Sequence, residues 1–136
     1  MSTTLLQNTA ILVIDDDPDT CEVLRILLEE QGAEVVTANT VEEALAMCRR
    51  TPPHLLVSDM RLGASDGFAL IAAIREYNKE YRGFTPAIAV TGFVSPGEEQ
   101  RAKAAGFNAY VHKPVEAADL IATIARVLRN PVDAAA

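Results

Sequence analysis

No apolar stretch in the sequence is long enough to cross a bilayer: the longest, Phe68 to Ile74, has seven residues where a spanning helix needs about 20. The N-terminus also lacks the basic start and apolar middle of a secretory signal, so a cytoplasmic location is expected. Basic residues are scarce, 12 against 19 acidic ones, and the net charge of -7 repels phosphate backbones and leaves no reservoir for a broad basic patch. Direct nucleic-acid binding is therefore not expected. The two cysteines, Cys21 and Cys48, have no Cys-x-x-Cys spacing and fall in segments of helical pattern, which predicts buried, reduced thiols. His54 and His112 are isolated and read as surface or strand-edge residues rather than ligands. There is no linker, repeat or low-complexity tract.

What is present is one domain's worth of ordinary globular sequence. A chain of 136 residues buries roughly two thirds of the surface its unfolded form exposes, and 49% apolar with 23% charged residues is far from the composition of disordered chains. Five short apolar runs alternate with five helical patterns, the mark of βαβ units and a parallel sheet. The runs are Ala10 to Ile14, Glu34 to Ala38, Leu55 to Ser58, Ala87 to Val90 and Ala109 to Val111. The first, third and fourth are almost wholly apolar, as strands covered on both faces must be, while the second and fifth are more polar and suit edge or near-edge places.

Helix signals fill the gaps. Asp17 and Pro18 open a first helix that Gly32 stops, and Thr40 to Glu43 is a capping box for a second that ends before Pro52 and Pro53. A third follows Asp66 and Gly67 and buries Leu70, Ile71 and Ile74, leaving Tyr77 to Thr85 as a polar connection. A fourth starts at a second capping box, Ser95 to Glu98, ends at Gly106 and is thinly apolar. A fifth runs from about Glu116 to Arg129. Residues 1–8 are expected to be flexible, 9–130 to form the domain, and 131–136 to be a short tail without an output domain.

In a parallel α/β sheet, function gathers where loops leave the carboxyl ends of the strands. The first strand ends in Asp15, Asp16 and Asp17, the third in Asp59, the fourth in Thr91 and the fifth in Lys113 and Pro114. Two carboxylates about 4 Å apart repel by roughly 4 kcal/mol at an effective dielectric near 20, so Asp15 or Asp16 beside Asp59 requires a compensating cation. Only oxygen ligands are available at that rim, which favours a hard ion such as Mg²⁺ over Zn²⁺. A carboxylate nucleophile with Mg²⁺, a lysine and a threonine hydroxyl is the equipment for accepting a phosphoryl group.

Ile11 to Asp17, Leu55 to Asp59, Asp66-Gly67, Val90 to Gly92, Ala105-Gly106 and Lys113-Pro114 together resemble the receiver domain of two-component response regulators, over about residues 9 to 130. The resemblance implies a flavodoxin-like (βα)5 fold, strand order 2-1-3-4-5, with helices on both faces. It also implies that Asp59 takes a phosphoryl group from the phosphohistidine of a histidine kinase or phosphotransfer protein. On the same ground Asp15 and Asp16 hold Mg²⁺ with Asp59 and the backbone carbonyl of Arg61, Asp16 being the more direct ligand. Thr91 is the hydroxyl that turns toward the phosphoryl oxygens, Lys113 the lysine that pairs with them, and Tyr110 the switch aromatic. The Lys113-Pro114 bond is expected to be cis. Such a domain is a switch rather than a conventional enzyme, although it catalyses its own phosphorylation and dephosphorylation. Its response passes through a downstream protein or a fused neighbouring domain.

The chain departs from the family pattern in places. Gly63 stands where many receivers have proline, so the loop after Asp59 is expected to be looser. Arg61 and Phe93 should flank the phosphoryl group, and the bulk of Phe93 suggests slow loss of it. Asn108 and Ala109 replace an acidic pair that DNA-binding members often carry, which argues for a monomer or weak dimer over an ion-pair dimer. Two rival readings exist. A haloacid dehalogenase-type phosphatase would use Asp15 as nucleophile and Asp17 as acid and base, but Asp19 stands where that pattern calls for Thr or Val. A docking module indifferent to phosphate is the other.

Overall fold

A computed structural model describes residues 5–63, 65–81, 83–92 and 96–129. In chain order the elements are β1 (Ala10–Ile14), α1 (Pro18–Glu29), β2 (Glu34–Ala38), α2 (Val41–Arg50), β3 (Leu55–Asp59), β4 (Arg61–Leu62), β5 (Ser65–Asp66), α3 (Gly67–Tyr81), β6 (Ala87–Thr91), α4 (Glu98–Ala105), β7 (Ala109–His112) and α5 (Ala117–Arg129). Five of the strands form one parallel sheet in the order β2-β1-β3-β6-β7, and β4 and β5 pair as a separate antiparallel hairpin. Apart from the hairpin, this is the flavodoxin-like order expected from the sequence, with the two more polar strands at the edges.

The period-2 alternation of strands explains how one sheet serves two layers of helices. Ile11 and Val13 of β1, Val57 of β3 and Val90 of β6 face Leu24 and Leu28 of α1 and Leu120, Ile124 and Val127 of α5. Leu12 and Ile14, Leu56, and Ala87 and Ala89 face the other way, against Val41 and Ala44 of α2, Leu70, Ile71 and Ile74 of α3, and Ala102 of α4. The helix residues recur at three- and four-residue intervals, so each helix presents one apolar stripe to the sheet. Ala102 is the sole buried residue of α4. That helix is therefore the most lightly anchored of the five.

Local chemistry accounts for most boundaries. Asp17 caps α1 by accepting from the Asp19 N–H at 3.0 Å. Thr40 caps α2 by accepting from the Glu43 N–H at 3.1 Å, and the Glu43 carboxylate reaches back to the Asn39 N–H at 2.7 Å. Gly32, at φ 95, turns the chain after α1, and a Cβ there would lie 3.2 Å from the Gln7 backbone.

Four expectations are corrected. The polar segment after Ile74 is not a separate connection as far as Tyr81: α3 continues through it, held by the Tyr77–Tyr81 ring contact (centroids 4.6 Å apart) and by buried Asn78, whose Nδ2 donates to Thr85 Oγ1 at 3.1 Å. Where a looser loop was expected after Asp59, β4 and β5 pair as a hairpin, Gly63 stands at φ 65 and Leu62 is buried. Helix α4 begins at Glu98 behind Gly97 in the left-handed region (φ 80), with no side-chain cap, and Ser95 lies outside the described residues. Within the lead-in expected to be flexible, Leu5–Asn8 form turns, and Leu6 is fully buried, its N–H bonded to the Gln31 carbonyl at 2.9 Å. Residues 131–136 and Phe93 lie outside the described residues.

Candidate functional site

The carboxyl edge of the sheet collects the polar residues. Asp15 follows β1 directly and is only 2% exposed. Its N–H donates to the Ala38 carbonyl at 3.1 Å, and its Oδ1 accepts from the Asp17 N–H at 2.9 Å, which leaves Oδ2 to face Lys113 Nζ at 3.3 Å. Asp59 is the last residue of β3 rather than the first beyond it. Its Oδ1 accepts from the Arg61 N–H at 3.1 Å and its Oδ2 from Lys113 Nζ at 3.0 Å. Lys113 therefore bridges two carboxylates carried by neighbouring strands. Asp16 is exposed, and one carboxylate oxygen from each of Asp15, Asp16 and Asp59 lies within 4.8 Å of the others.

The energetics of this cluster are lopsided. Burial, reinforced by the charge of Asp59, pushes the Asp15 carboxyl up from 3.8 to about 6 against the lowering effects of the Asp17 N–H and Lys113. Burial alone would lower the Lys113 ammonium, but its hydrogen bond to Asp59 and the charges of Asp15 and Asp59 outweigh that and hold it above its ordinary value. Three carboxylates meet one ammonium, so the site has negative charge to spare. The converging donors are all oxygen and two of them are buried, which suits a small hard divalent cation.

Gly67 is required by close approach. A Cβ there would come within 2.8 Å of Met60 Sδ, 3.1 Å of Met60 Cα and 3.2 Å of the Asp59 carbonyl oxygen, so a larger residue would push on the backbone that carries Asp59. Arg61 itself is exposed in β4, and its backbone leads the hairpin away from Asp59. The Lys113-Pro114 bond is cis.

Thr91 closes β6, is buried, and accepts from the Lys113 N–H through its carbonyl at 2.7 Å. Tyr110, on β7, is half-buried, and its hydroxyl donates to Glu98 Oε1. Burial first, then the hydrogen bond and charge of Glu98, push its phenol up to about 12. The role of Glu98 was not foreseen from the sequence, where it is only a capping-box member: its contact with a tyrosine 12 residues away exists only once α4 packs beside β7.

Asp17 takes no part in the cluster. Its two carboxylate oxygens accept from the Asp19 N–H and the Thr20 hydroxyl, so it caps a helix and is turned away from acid and base duty. Cys21 and Cys48 are buried and unpaired with each other, and burial raises both thiols to about 11. His54 Nδ1 accepts from the Ala10 N–H at 2.8 Å, a strand-edge role, and His112 is an exposed end of β7. Among the described residues no helix is long and apolar enough to cross a membrane.

Comparison with known proteins agrees with this geometry. A protein from Leptolyngbya boryana described as an uncharacterized 14.6 kDa protein in the sodA1 3' region is 45% identical over 126 residues, 91% of this chain and 94% of that one. The polar-differentiation response regulator DivK of Brucella ovis is 30% identical over 115 residues, covering 85% of this chain and 92% of its own. Among solved structures, a two-component response regulator from Clostridium difficile superposes with a TM-score of 0.82 at 28% identity, covering 92% of this chain and 99% of that one. The chemotaxis protein CheY4 of Vibrio cholerae superposes at 0.80 and 30% identity, covering 88% of this chain and 98% of its own. The family model of the response regulator receiver domain matches residues 11–125, and the chain belongs to that family.

Proposed function

We propose that this receiver domain is a phosphoacceptor switch in which Asp59 takes a phosphoryl group from the phosphohistidine of a sensor histidine kinase or phosphotransfer protein. The observation that carries the reading is the Lys113 ammonium held 3.0 Å from Asp59 Oδ2 and 3.3 Å from Asp15 Oδ2 inside a cluster of three carboxylates. An Asp59 oxygen forms the new bond to phosphorus as the P–N bond of the donor breaks. The donor's imidazole leaves with that electron pair and takes up a proton from solvent.

Asp15, Asp16, Asp59 and the Arg61 carbonyl would hold Mg²⁺, which supplies the positive charge that lets an anionic donor approach three carboxylates. Lys113 pairs with a phosphoryl oxygen as it now pairs with Asp59. Thr91 donates its hydroxyl to another, and Tyr110 follows the space it leaves. The surface made by α4, β7 and α5 then changes, and the single buried residue of α4 makes that shift cheap. Val23, Leu27, Pro114 and Val115 form an apolar patch next to Lys113, where a donor protein can dock within reach of Asp59. Residues 9–130 act as the switching unit in the cytoplasm, as a monomer or weak dimer without nucleic-acid contact. The output passes to a downstream protein or a fused neighbouring domain.

Incubation with a phosphohistidine donor or acetyl phosphate and Mg²⁺ tests the reading. An acid-labile, hydroxylamine-sensitive label should map to Asp59 and be absent from Asp59→Asn. A label on Asp15 with turnover of a small phosphomonoester would favour the phosphatase reading instead. Partner binding unaltered in Asp59→Asn and by phosphorylation would favour a phosphate-independent docking module.

A further inference from the structure

The Asp15 carbonyl belongs to the peptide that joins two of the three clustered carboxylates, so its direction sets where Asp16 points relative to Asp15 and Asp59. The backbone ladder between β1 and β2 ends just before it, at the 3.1 Å bond from the Asp15 N–H to the Ala38 carbonyl. A side chain takes over there: Asn39 Nδ2 donates to the Asp15 carbonyl at 2.9 Å. The Cys21 thiol also reaches this oxygen, at 3.5 Å, but it is a weak donor. Asn39 is itself held, because its N–H donates to Glu43 Oε1 at 2.7 Å in the capping box of α2. Glu43, Asn39 and the Asp15–Asp16 peptide thus form a line from the start of α2 to the acidic rim.

We propose that Asn39 is a positioning residue for the divalent-ion site: its side-chain amide, anchored by Glu43, holds the Asp15–Asp16 peptide in the orientation that directs Asp16 into the cluster with Asp15 and Asp59. The proposal rests on the reading of these three carboxylates as an ion site. Like charges drive an unpinned Asp16 away from its two neighbours, and Asp16 is exposed, so water offers it somewhere to go. The amide opposes that drift by fixing the backbone rather than the carboxylate, and so occupies none of the oxygens that face the ion. Without it, the ordering of the turn falls on the binding step and weakens it.

Calorimetric titration of the full-length chain with Mg²⁺, paired with urea denaturation in the absence of divalent ions, tests this. Asn39→Ala is expected to bind Mg²⁺ about fivefold more weakly, the worth of one net hydrogen bond. Thr40→Ala removes the other half of the capping box and loosens α2 without freeing Asn39, so its affinity should match the parent however much stability it loses. Glu43→Ala should weaken binding and add nothing in an Asn39→Ala background, since its effect runs through Asn39. Glu43→Gln loses the charge but keeps an acceptor, and should match the parent. Amide hydrogen exchange gives a metal-free reading: the Asp17 N–H, bonded to Asp15 Oδ1 at 2.9 Å across the same turn, should exchange faster in Asn39→Ala than in Thr40→Ala. Parent-like Mg²⁺ affinity or parent-like Asp17 exchange in Asn39→Ala overturns the proposal. So does an equal loss of affinity in Thr40→Ala, a loss in Glu43→Gln as large as in Glu43→Ala, or a Glu43→Ala loss that adds to that of Asn39→Ala. Should Asn39→Ala fail to fold, the contrast between Glu43→Ala and Thr40→Ala decides alone. If the parent shows no Mg²⁺ binding that Asp59→Asn removes, the ion-site reading itself falls, an outcome distinct from a parent that binds and an Asn39→Ala that binds equally well.

Discussion

Asp15 shows most clearly how one residue trades stability for function. It is almost fully buried, accepts from a backbone N–H and from Lys113, and still has its carboxyl raised to about 6, because burial and the charge of Asp59 outweigh those contacts. The sign of the consequence follows from proton counting. Between an unfolded value of 3.8 and a folded value of about 6 the native protein holds a proton that the unfolded chain has lost, so stability falls as pH rises through that window and stays low above it. Without divalent ions, Asp15→Asn should match the parent below about pH 4 and exceed it near pH 7 by roughly 3 kcal/mol, at 1.36 kcal/mol per tenfold change in proton affinity. Urea denaturation across that range checks it, and a variant less stable than the parent at neutral pH would contradict it. On the proposed reading the carboxylate is retained because its charge would help hold a divalent ion. Asp15, Asp16, Asp59 and Lys113 were legible in the sequence because each lies within two residues of the end of an apolar run; Glu98 was not, because nothing in its own neighbourhood announces a tyrosine on a different element.

Elements were legible where burial imposes a period and illegible where long-range polar contacts decide. The stripes of α1 and α5 and the apolar runs of β1, β3 and β6 declare themselves. The last turn of α3 does not, since its helicity depends on what the fold sets against it. Arg75 shows the mechanism: its guanidinium donates to the Gly106 carbonyl at 2.6 Å, the Thr85 carbonyl at 2.8 Å, Asn78 Oδ1 at 2.7 Å and Asn108 Oδ1 at 3.2 Å, and lies 4.2 Å from the Phe84 ring centre. None of those acceptors is a carboxylate, and burial lowers the guanidinium to about 10, so it remains charged at neutral pH. It joins α3, the entry to β6, the end of α4 and the entry to β7, at the edge of the sheet opposite Asp59. Asn108 is thereby an interior brace, 4% exposed, whose Oδ1 also accepts from the Ala87 N–H at 2.9 Å. Arg75→Met should cost roughly 2–4 kcal/mol, because it leaves several buried acceptors short of a donor. Mg²⁺ affinity should be unchanged, and a parallel loss of both in denaturation and ion titration would show that the two edges of the sheet are coupled.

For the whole molecule the net charge of -7 and the carboxylate cluster at one rim make the metal-free form a compromise. The parallel sheet followed from the alternation of apolar runs with helical patterns, whereas its strand order came from the resemblance to receiver domains. The β4–β5 hairpin and the buried Leu6 followed from neither, because each is a local segment recruited to cover a core edge that only the assembled sheet creates. The excess negative charge then has a thermodynamic signature. An ion that binds only the folded protein stabilises it by RT ln(1 + [L]/Kd), about 2.7 kcal/mol at a hundredfold excess over Kd, so the unfolding midpoint should climb by several degrees with Mg²⁺. General screening of 19 acidic against 12 basic residues also raises stability, so sodium chloride of equal ionic strength is the proper reference. The part of the Mg²⁺ effect beyond that reference should shrink in Asp16→Asn and vanish in Asp59→Asn. If sodium chloride reproduces the whole increase, or if Asp59→Asn keeps it, the three carboxylates do not form a divalent-ion site, and the charge that burdens Asp15 serves some other end.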